Sequence, residues 1–555
     1  MQSLLSIPFL FLSLVSASPQ VQLGKTTLIG RDVLTFRQEF FGGIPFAEPP
    51  VGQLRLKPPI LRISLNSSSF DATNFGRACM QNALPAESMS EDCLTINILR
   101  PAGIPAKTTL PVMAWVYGGG FTGGDASVFN ASAIVGQSVL RGTPVIYVNF
   151  NYRLGALGFP QGQEAAARGA LNLGLKDQLA ALQWIQHNIY FFGGDKTKVT
   201  VFGQSAGAVS LAIHFLNPSI HKLARAAIFE SGSAGTSENF EPARREGTWQ
   251  AFVASVPQCA ATAGTAATIP CLQGVTNSTL LQQASQVAGA AFADPFPWDP
   301  TIDGRGGVLP DIPSRLFAKG QFARLPFIAG TTLDEGTAFV PTTLNATEQI
   351  RESIIALFTP SPLGPQSLSS AADCLLQLYP DNPILGSPFG TGNETFGLSS
   401  QYKRIAAMDG DVSFQSQRRF WMQTAANAGV KTFGYLFTDP QIGIDPRLGV
   451  PHAAEVFYVY NGFALTGGSP SAIQLSSIII DYWVSFATSL DPNDGRGNSR
   501  PTWQQFTPTN QVLLQLQGTN VSMIPDTYRK EQVSFINSIP LVFHHRRSVS
   551  SAGSP

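Results

Sequence analysis

The stretch Val199 to Ala208 constrains this chain more than any other. Val199-Thr200-Val201-Phe202 has strand character and runs straight into Gly203-Gln204-Ser205-Ala206-Gly207. An apolar, helix-like run from Val209 to Leu216 follows. A strand entering Gly-x-Ser-x-Gly and a helix leaving it is the context of a nucleophile elbow. The serine sits on a turn so sharp that its backbone is strained and its hydroxyl stands clear. Both glycines stay small because strand and helix pass close to the turn. The competing explanation is a tight βα turn with no chemistry.

A serine hydroxyl is a poor nucleophile at neutral pH, so the rest of the chain must supply a base, an orienting acid and an oxyanion hole. Pro111 to Tyr117 is a buried-strand run, and Gly118-Gly119-Gly120-Phe121 follows it directly. A glycine triplet after a strand lets backbone N–H groups converge on one spot, as oxyanion stabilisation requires. The N–H groups of Gly119, Gly120 and Ala206 are the expected donors; a plain flexible turn is the alternative. Pro144 to Phe150 is another central strand, and a helix around Leu179 to Ile185 leads back to the elbow. Strands alternating with helices predict a mostly parallel sheet. Arg153 and Asp177 flank the segment between and are expected to form a structural ion pair.

Of the six histidines, His544 and His545 sit beside two arginines at the end and are expected in a solvated tail. His187 and His214 lie on the segments flanking the elbow strand, and His221 lies in a loop. His452, in Gly449-Val450-Pro451-His452-Ala453, occupies a Gly/Pro loop late in the chain. The order Ser…Asp/Glu…His favours it as the base. The acid is then sought after the strand Phe327 to Gly330, where Asp334 and Glu335 compete.

Composition narrows the setting. Charged residues make up 13% of the chain and the net charge is zero. That is well below the usual quarter, and nothing points to a nucleic-acid or anionic-membrane partner. An apolar run from Leu4 to Val15, then Ser16-Ala17-Ser18, predicts a secretory signal over 1–17, although no Lys or Arg precedes the run. No later stretch is long and apolar enough to anchor the chain in a bilayer. One catalytic domain over 18–545 and a disordered tail over 546–555 complete the expected organisation. Asn66, Asn130, Asn277, Asn345, Asn393 and Asn520 head sequons for glycosylation. In an oxidising compartment Cys79 should pair with Cys93, and Cys259 with Cys271, leaving Cys374 as a buried free thiol. No Cys/His spacing suits a metal and no phosphate loop follows a strand, so no cofactor is expected. Gly43 to Gly52 is expected to be a proline-stiffened surface segment, and Ile478 to Ala487 an amphipathic closing helix.

Three motifs together carry a family resemblance: Gly118-Gly119-Gly120-Phe121, Glu91-Asp92-Cys93-Leu94 and Phe202-Gly203-Gln204-Ser205-Ala206-Gly207-Ala208. From Gly43 to Trp503 the chain resembles the type-B carboxylesterases, α/β-hydrolases that include cholinesterases and secreted fungal lipases. The secreted fungal branch is the nearest in its Cys79-Met80-Gln81 and Glu91 to Asn97 segments. The resemblance implies an α/β-hydrolase fold, selects Glu335 over Asp334 as the acid, and supports His452 as the base. It also implies that Ser231 is a buried serine that supports the catalytic residues from behind. Gln204 departs from the glutamate often found before the nucleophile, which removes a negative charge and weakens any case for a cationic substrate.

The expectation is therefore a secreted serine esterase acting on small-molecule or lipid esters. Its alternatives are a lipase or sterol esterase, a hydroxycinnamoyl esterase, and a non-catalytic adhesion protein on the same fold. In this family the loop closed by the first disulfide lies near the mouth of the site. Here that loop, 80–92, is short and lacks aromatic residues. It predicts an open mouth, unless a segment around Phe339 or Pro295-Phe296-Pro297-Trp298 covers it instead.

Overall fold

The computed structural model describes residues 18–82, 84–105, 108–291, 296–440, 443–461 and 468–543. The expected signal segment 1–17, the tail 546–555 and His544 and His545 lie outside them.

A small sheet joins β1 (Gln20–Leu23), β2 (Thr26–Ile29) and β5 (Ser69–Asp71). The large sheet takes β3 (Arg31–Val33), β4 (Gln38–Pro45), β6 (Thr95–Pro101), β7 (Leu110–Val116), β8 (Ile146–Phe150) and β9 (Gly194–Gln204). It continues with β10 (Ala226–Glu230), β11 (Phe327–Thr332), β12 (Thr432–Phe437), β13 (Val512–Leu516) and β14 (Ser522–Pro525). Its spatial order is β14-β13-β12-β11-β10-β9-β7-β8-β6-β4-β3. The strands from β8 across to β13 pair in parallel, while β6, β4 and β3 at one edge and β14 at the other are antiparallel.

Parallel strands covered on both faces read as continuous apolar runs. Accordingly β8, β10, β11 and β12 are buried at every position. Helices Leu173–Asn188, Ala206–Phe215 and Pro470–Ser489 all pack on β9. The elbow strand thus lies at the centre of the sheet, and its carboxyl end opens where ligands bind in sheets of this kind.

Three expectations are corrected. Gly43 to Gly52 is not wholly a surface segment: β4 runs to Pro45, and Ile44 and Phe46 are fully buried. The strand is interrupted by a register shift between Phe41 and Ile44 at Gly42-Gly43, which hides its alternation in the sequence. The closing helix is not amphipathic over 478–487, because every residue there is buried. Asp481 gave it a polar face in sequence, yet inside the fold its carboxylate meets Arg141 at 3.2 Å. Cys374 is unpaired but only half-buried.

Both expected disulfides form, Cys79–Cys93 and Cys259–Cys271. On chain-entropy grounds a loop of the first one's size contributes about 3 kcal/mol. All six sequon asparagines are exposed.

Candidate active site

The elbow is built as its sequence demands. Strand β9 ends at Gln204, Ser205 takes φ +55° and ψ −129°, and the helix starts at Ala206. That backbone conformation is costly for a residue with a side chain. Hydrogen bonds hold it: the Ser205 N–H donates to the Glu230 carbonyl at 2.9 Å, and the Val209 N–H donates to the Ser205 carbonyl at 2.8 Å. Gly207 allows the helix to start against the neighbouring strand, since a Cβ there would lie 2.0 Å from the Val116 carbonyl oxygen. A Cβ on Gly118 would lie 2.8 Å from the Ser205 Cβ, so the glycine loop presses directly on the serine. Gly119 and Gly120 carry φ of +114° and +59°. Among the described residues the N–H groups of Gly119, Gly120 and Ala206 donate to no backbone partner. Ala206 is the first residue of its helix, where N–H groups are free by construction.

Glu335 and His452 meet although they lie far apart in sequence. The Glu335 carboxylate is buried, with Oε1 accepting the Thr332 N–H at 2.8 Å and Oε2 lying 2.5 Å from His452 Nδ1. The Gln204 side-chain Nε2 lies 3.1 Å from His452 Nε2. An amide nitrogen only donates, so His452 Nε2 carries the lone pair and Nδ1 the proton. That is the tautomer a general base needs. Among the described residues no hydrogen bond joins His452 to the Ser205 hydroxyl; such contacts commonly tighten only when substrate binds.

Asp334, the competitor for the acid, does something else. Its Oδ1 accepts from the Ser387 hydroxyl at 2.7 Å and the Phe389 N–H at 2.9 Å. Its Oδ2 accepts from the Val450 N–H at 2.9 Å. It ties the acid-bearing turn to the loop that presents His452.

Behind the imidazole lie more carboxyls that sequence reasoning did not assign. Glu455 is buried, and Ser231 and Tyr435 hydroxyls donate to its Oε1 at 3.0 and 3.2 Å. Burial and the neighbouring Glu335 charge push its carboxyl up. Burial, then the charge on Glu455, likewise pushes Glu230 well above its ordinary range. Glu230 accepts the Trp483 indole N–H at 2.7 Å. Both groups are therefore biased toward the neutral form, which limits the negative charge gathered behind His452.

A chamber of about 80 Å³ opens on Ser205, lined by Gly120, Phe121, Phe296, Phe339, Asp409 and Phe414 among others. Phe339 and Phe414 flank the imidazole, with ring centroids 4.9 and 4.8 Å away. Phe296 and Phe339 meet edge-on at 5.9 Å. The flap residues Met80, Gln81 and Asn82 line a separate cavity with Trp298. The flap is short, as expected, and among its described residues the one helical turn is a turn of 3-10 helix at Ala86–Ser88. No described residue of the flap walls the chamber at Ser205; Phe296 and Phe339, from the two alternative segments, do.

The other histidines stand apart. His187 and His221 are exposed, and His214 hydrogen-bonds Gln178 at 3.0 Å, with burial pushing it down to about 3. Arg153 pairs with Asp177 through two bonds of 2.7 and 2.8 Å, as an ion pair buried in the frame. Among the described residues no group of His, Cys, Asp and Glu suits a metal ion, and no helix is long and apolar enough to cross a membrane.

A mixed sheet of this order, with a strained serine leaving its central strand, defines an α/β-hydrolase. The crystal structure of Aspergillus niger EstA has the same fold, with a TM-score of 0.81 over 95% of this chain and 99% of that one at 24% identity. The chain belongs to the carboxylesterase family, whose sequence profile, described as "Carboxylesterase family", matches residues 17–536. "Secreted lipase 1" of Botryotinia fuckeliana is 33% identical over 557 residues, covering 94% of this chain and 93% of that protein. "Lipase 2" of Diutina rugosa is 34% identical over 565 residues, covering 95% and 98%. The chain is thus a hydrolase of the carboxylesterase and lipase family, whose members include secreted fungal enzymes.

Proposed function

We propose that this protein is a secreted serine hydrolase that cleaves carboxylic esters through an acyl-enzyme. The observation that carries the proposal is the continuous array Glu335–His452–Gln204 beside a strained Ser205. Ser205 Oγ attacks the ester carbonyl while His452 Nε2 takes its proton. Glu335 keeps the Nδ1 proton and stabilises the imidazolium. The N–H groups of Gly119, Gly120 and Ala206 receive the developing oxyanion. His452 then protonates the departing alcohol, and water repeats the sequence on the acyl-enzyme to release the acid. The Gln204 amide can hold the imidazole lone pair at rest without adding charge. The reaction needs no cofactor.

Long-chain lipid esters are the second reading. It is favoured by a large cavity of about 720 Å³, with Leu344, Ile354, Leu375 and Met408 in its wall, which shares residues with the chamber at Ser205.

The test is turnover of a nitrophenyl ester. Ser205→Ala and His452→Ala should each lower kcat by about 10⁶, the scale set by nucleophiles and bases of such triads. Glu335→Gln should cost about 10⁴ by disturbing the tautomer. Near-wild-type turnover by folded Ser205→Ala protein overturns the proposal.

A further inference from the structure

Asp409 ends an apolar run, Ile405-Ala406-Ala407-Met408, on the helix Ser400–Gly410. A stretch of π-helix, Asp411–Gln415, follows at once, and such irregular turns gather at functional sites. The residue lines both the chamber at Ser205 and the 720 Å³ cavity behind it. The two spaces also share Phe339, Leu357 and Ser413, so a substrate chain passing from one to the other passes the Asp409 carboxyl.

That carboxyl is poorly satisfied. The residue is partly open to the cavity, but its Oδ2 is shut away from water and has no hydrogen-bond partner among the described residues. Its Oδ1 has the Ser413 hydroxyl at 3.5 Å, the outer limit of a hydrogen bond. Burial pushes the group up to about 7, with Ser413 and His452 drawing it down and the Glu335 charge pushing it up. Glu238 is the other acid lining the chamber, and Glu352 the other lining the cavity. Near neutral pH the carboxyl is therefore able to donate or accept. An alkyl chain at this junction would leave it unpaired, whereas an oxygen-bearing chain would satisfy it.

We propose that Asp409 determines specificity by hydrogen-bonding an oxygen on the substrate chain that runs from the Ser205 chamber into the larger cavity. The favoured substrates are then esters whose chain carries a hydroxyl or similar group beyond the carbonyl, and uninterrupted alkyl chains are disfavoured. This deepens the ester-hydrolase reading and rests on it.

The experiment compares kcat/KM for nitrophenyl decanoate with its 6-, 8- and 10-hydroxy forms, and for hexyl acetate with 6-hydroxyhexyl acetate. The first arm reports an acyl chain at Asp409, the second an alcohol chain. Wild-type protein should favour one hydroxylated member over its plain partner. Asp409→Leu should shift that ratio toward the plain ester by about 5- to 150-fold, the scale of one unpaired buried polar group. Asp409→Asn, which still hydrogen-bonds, should keep most of the preference. If Asp409→Leu does not fold, the wild-type and Asp409→Asn ratios still decide. No hydroxyl preference in the wild type, or a ratio unmoved in folded Asp409→Leu, overturns the proposal. Nitrophenyl acetate with wild type and Ser205→Ala separates the two readings. Acetate turnover that survives Ser205→Ala sinks the ester mechanism; Ser205-dependent turnover without a hydroxyl preference sinks only the role of Asp409.

Discussion

Gly207→Ala sets two effects against each other. Gly207 lies in the first turn of the helix Ala206–Phe215 with an ordinary helical φ. Helix propensity alone therefore favours alanine there by about 0.8–1 kcal/mol. Space opposes it: the added Cβ would sit 2.0 Å from the Val116 oxygen and 2.7 Å from the Tyr117 oxygen. Both are backbone atoms at the end of β7, so no side chain can swing aside. Real Cβ contacts stay beyond 3.0 Å, so helix and strand must part by about 1 Å in a close-packed interior. Overpacking of this kind costs about 1–3 kcal/mol and occasionally more. Steric cost offsets and can exceed the gain in propensity, and we expect a net loss of up to about 2 kcal/mol. The same displacement separates Ser205 and Ala206 from the Gly118–Gly120 loop. A misplacement of about 1 Å at reacting groups can cost 10²-fold, so kcat on a nitrophenyl ester should fall by about that factor. Urea unfolding and initial rates read the two effects. Gly123→Ala is the control, because its Cβ would meet nothing nearer than Gln81 Oε1 at 3.6 Å; it should stay within about 0.5 kcal/mol of wild type. A Gly207→Ala protein as stable and as active as wild type refutes the reasoning.

Asp526 is buried, which alone would raise its carboxyl, but the Arg418 and Arg419 guanidiniums hold it down at about 2. A depressed carboxyl stabilises the fold above its unfolded value and loses that contribution as pH falls through its folded one. Stability should therefore decline by about 2 kcal/mol between about pH 4 and pH 2 on its account. Asp526→Asn leaves two buried cations short of a counter-charge and should cost about 3–5 kcal/mol at pH 7 by urea unfolding; a loss below 1 kcal/mol would contradict the pairing. A third expectation concerns the flap. It is pinned by the Cys79–Cys93 bridge, by Ala78 N–H to the Ser88 carbonyl at 3.1 Å, and by Glu91 paired with Arg55 at 2.6 Å. Rate followed across the solubility limit of a sparingly soluble ester should saturate smoothly, and a sharp jump there would reveal a cover that opens on an oil surface.

The sequence displays the parts of the site that depend on local chain geometry. The elbow announces itself because strand, glycines and helix are adjacent, and the glycine loop because it follows an apolar strand. His452 and Glu335 are legible only through chain order and family likeness, since nothing local shows that they meet. What stayed hidden depends on distant partners. Asp481 makes its helix look half-exposed, because its partner Arg141 lies far up the chain. Glu455 and Asp409 read as ordinary acids, and only the packed surroundings reveal their environment. Asp409 did leave one sign, a carboxylate closing the run Ile405 to Met408. Phe296 and Phe339 belong to the two segments that the sequence offers as alternative covers, and only their meeting beside His452 distinguishes them from the flap.

The tether made by Asp334 bears on when the chain acquires its chemistry. During synthesis Ser205 emerges first, and the turn bearing Glu335 follows with Asp334 waiting for partners that do not yet exist. Only when Val450 appears can Asp334 draw the His452 loop onto it, and Trp483 must still arrive to occupy Glu230, whose backbone holds Ser205. Closing these long loops is slow relative to local structure. On the proposed mechanism a growing chain is therefore without hydrolase activity until the His452 loop and Trp483 have been made.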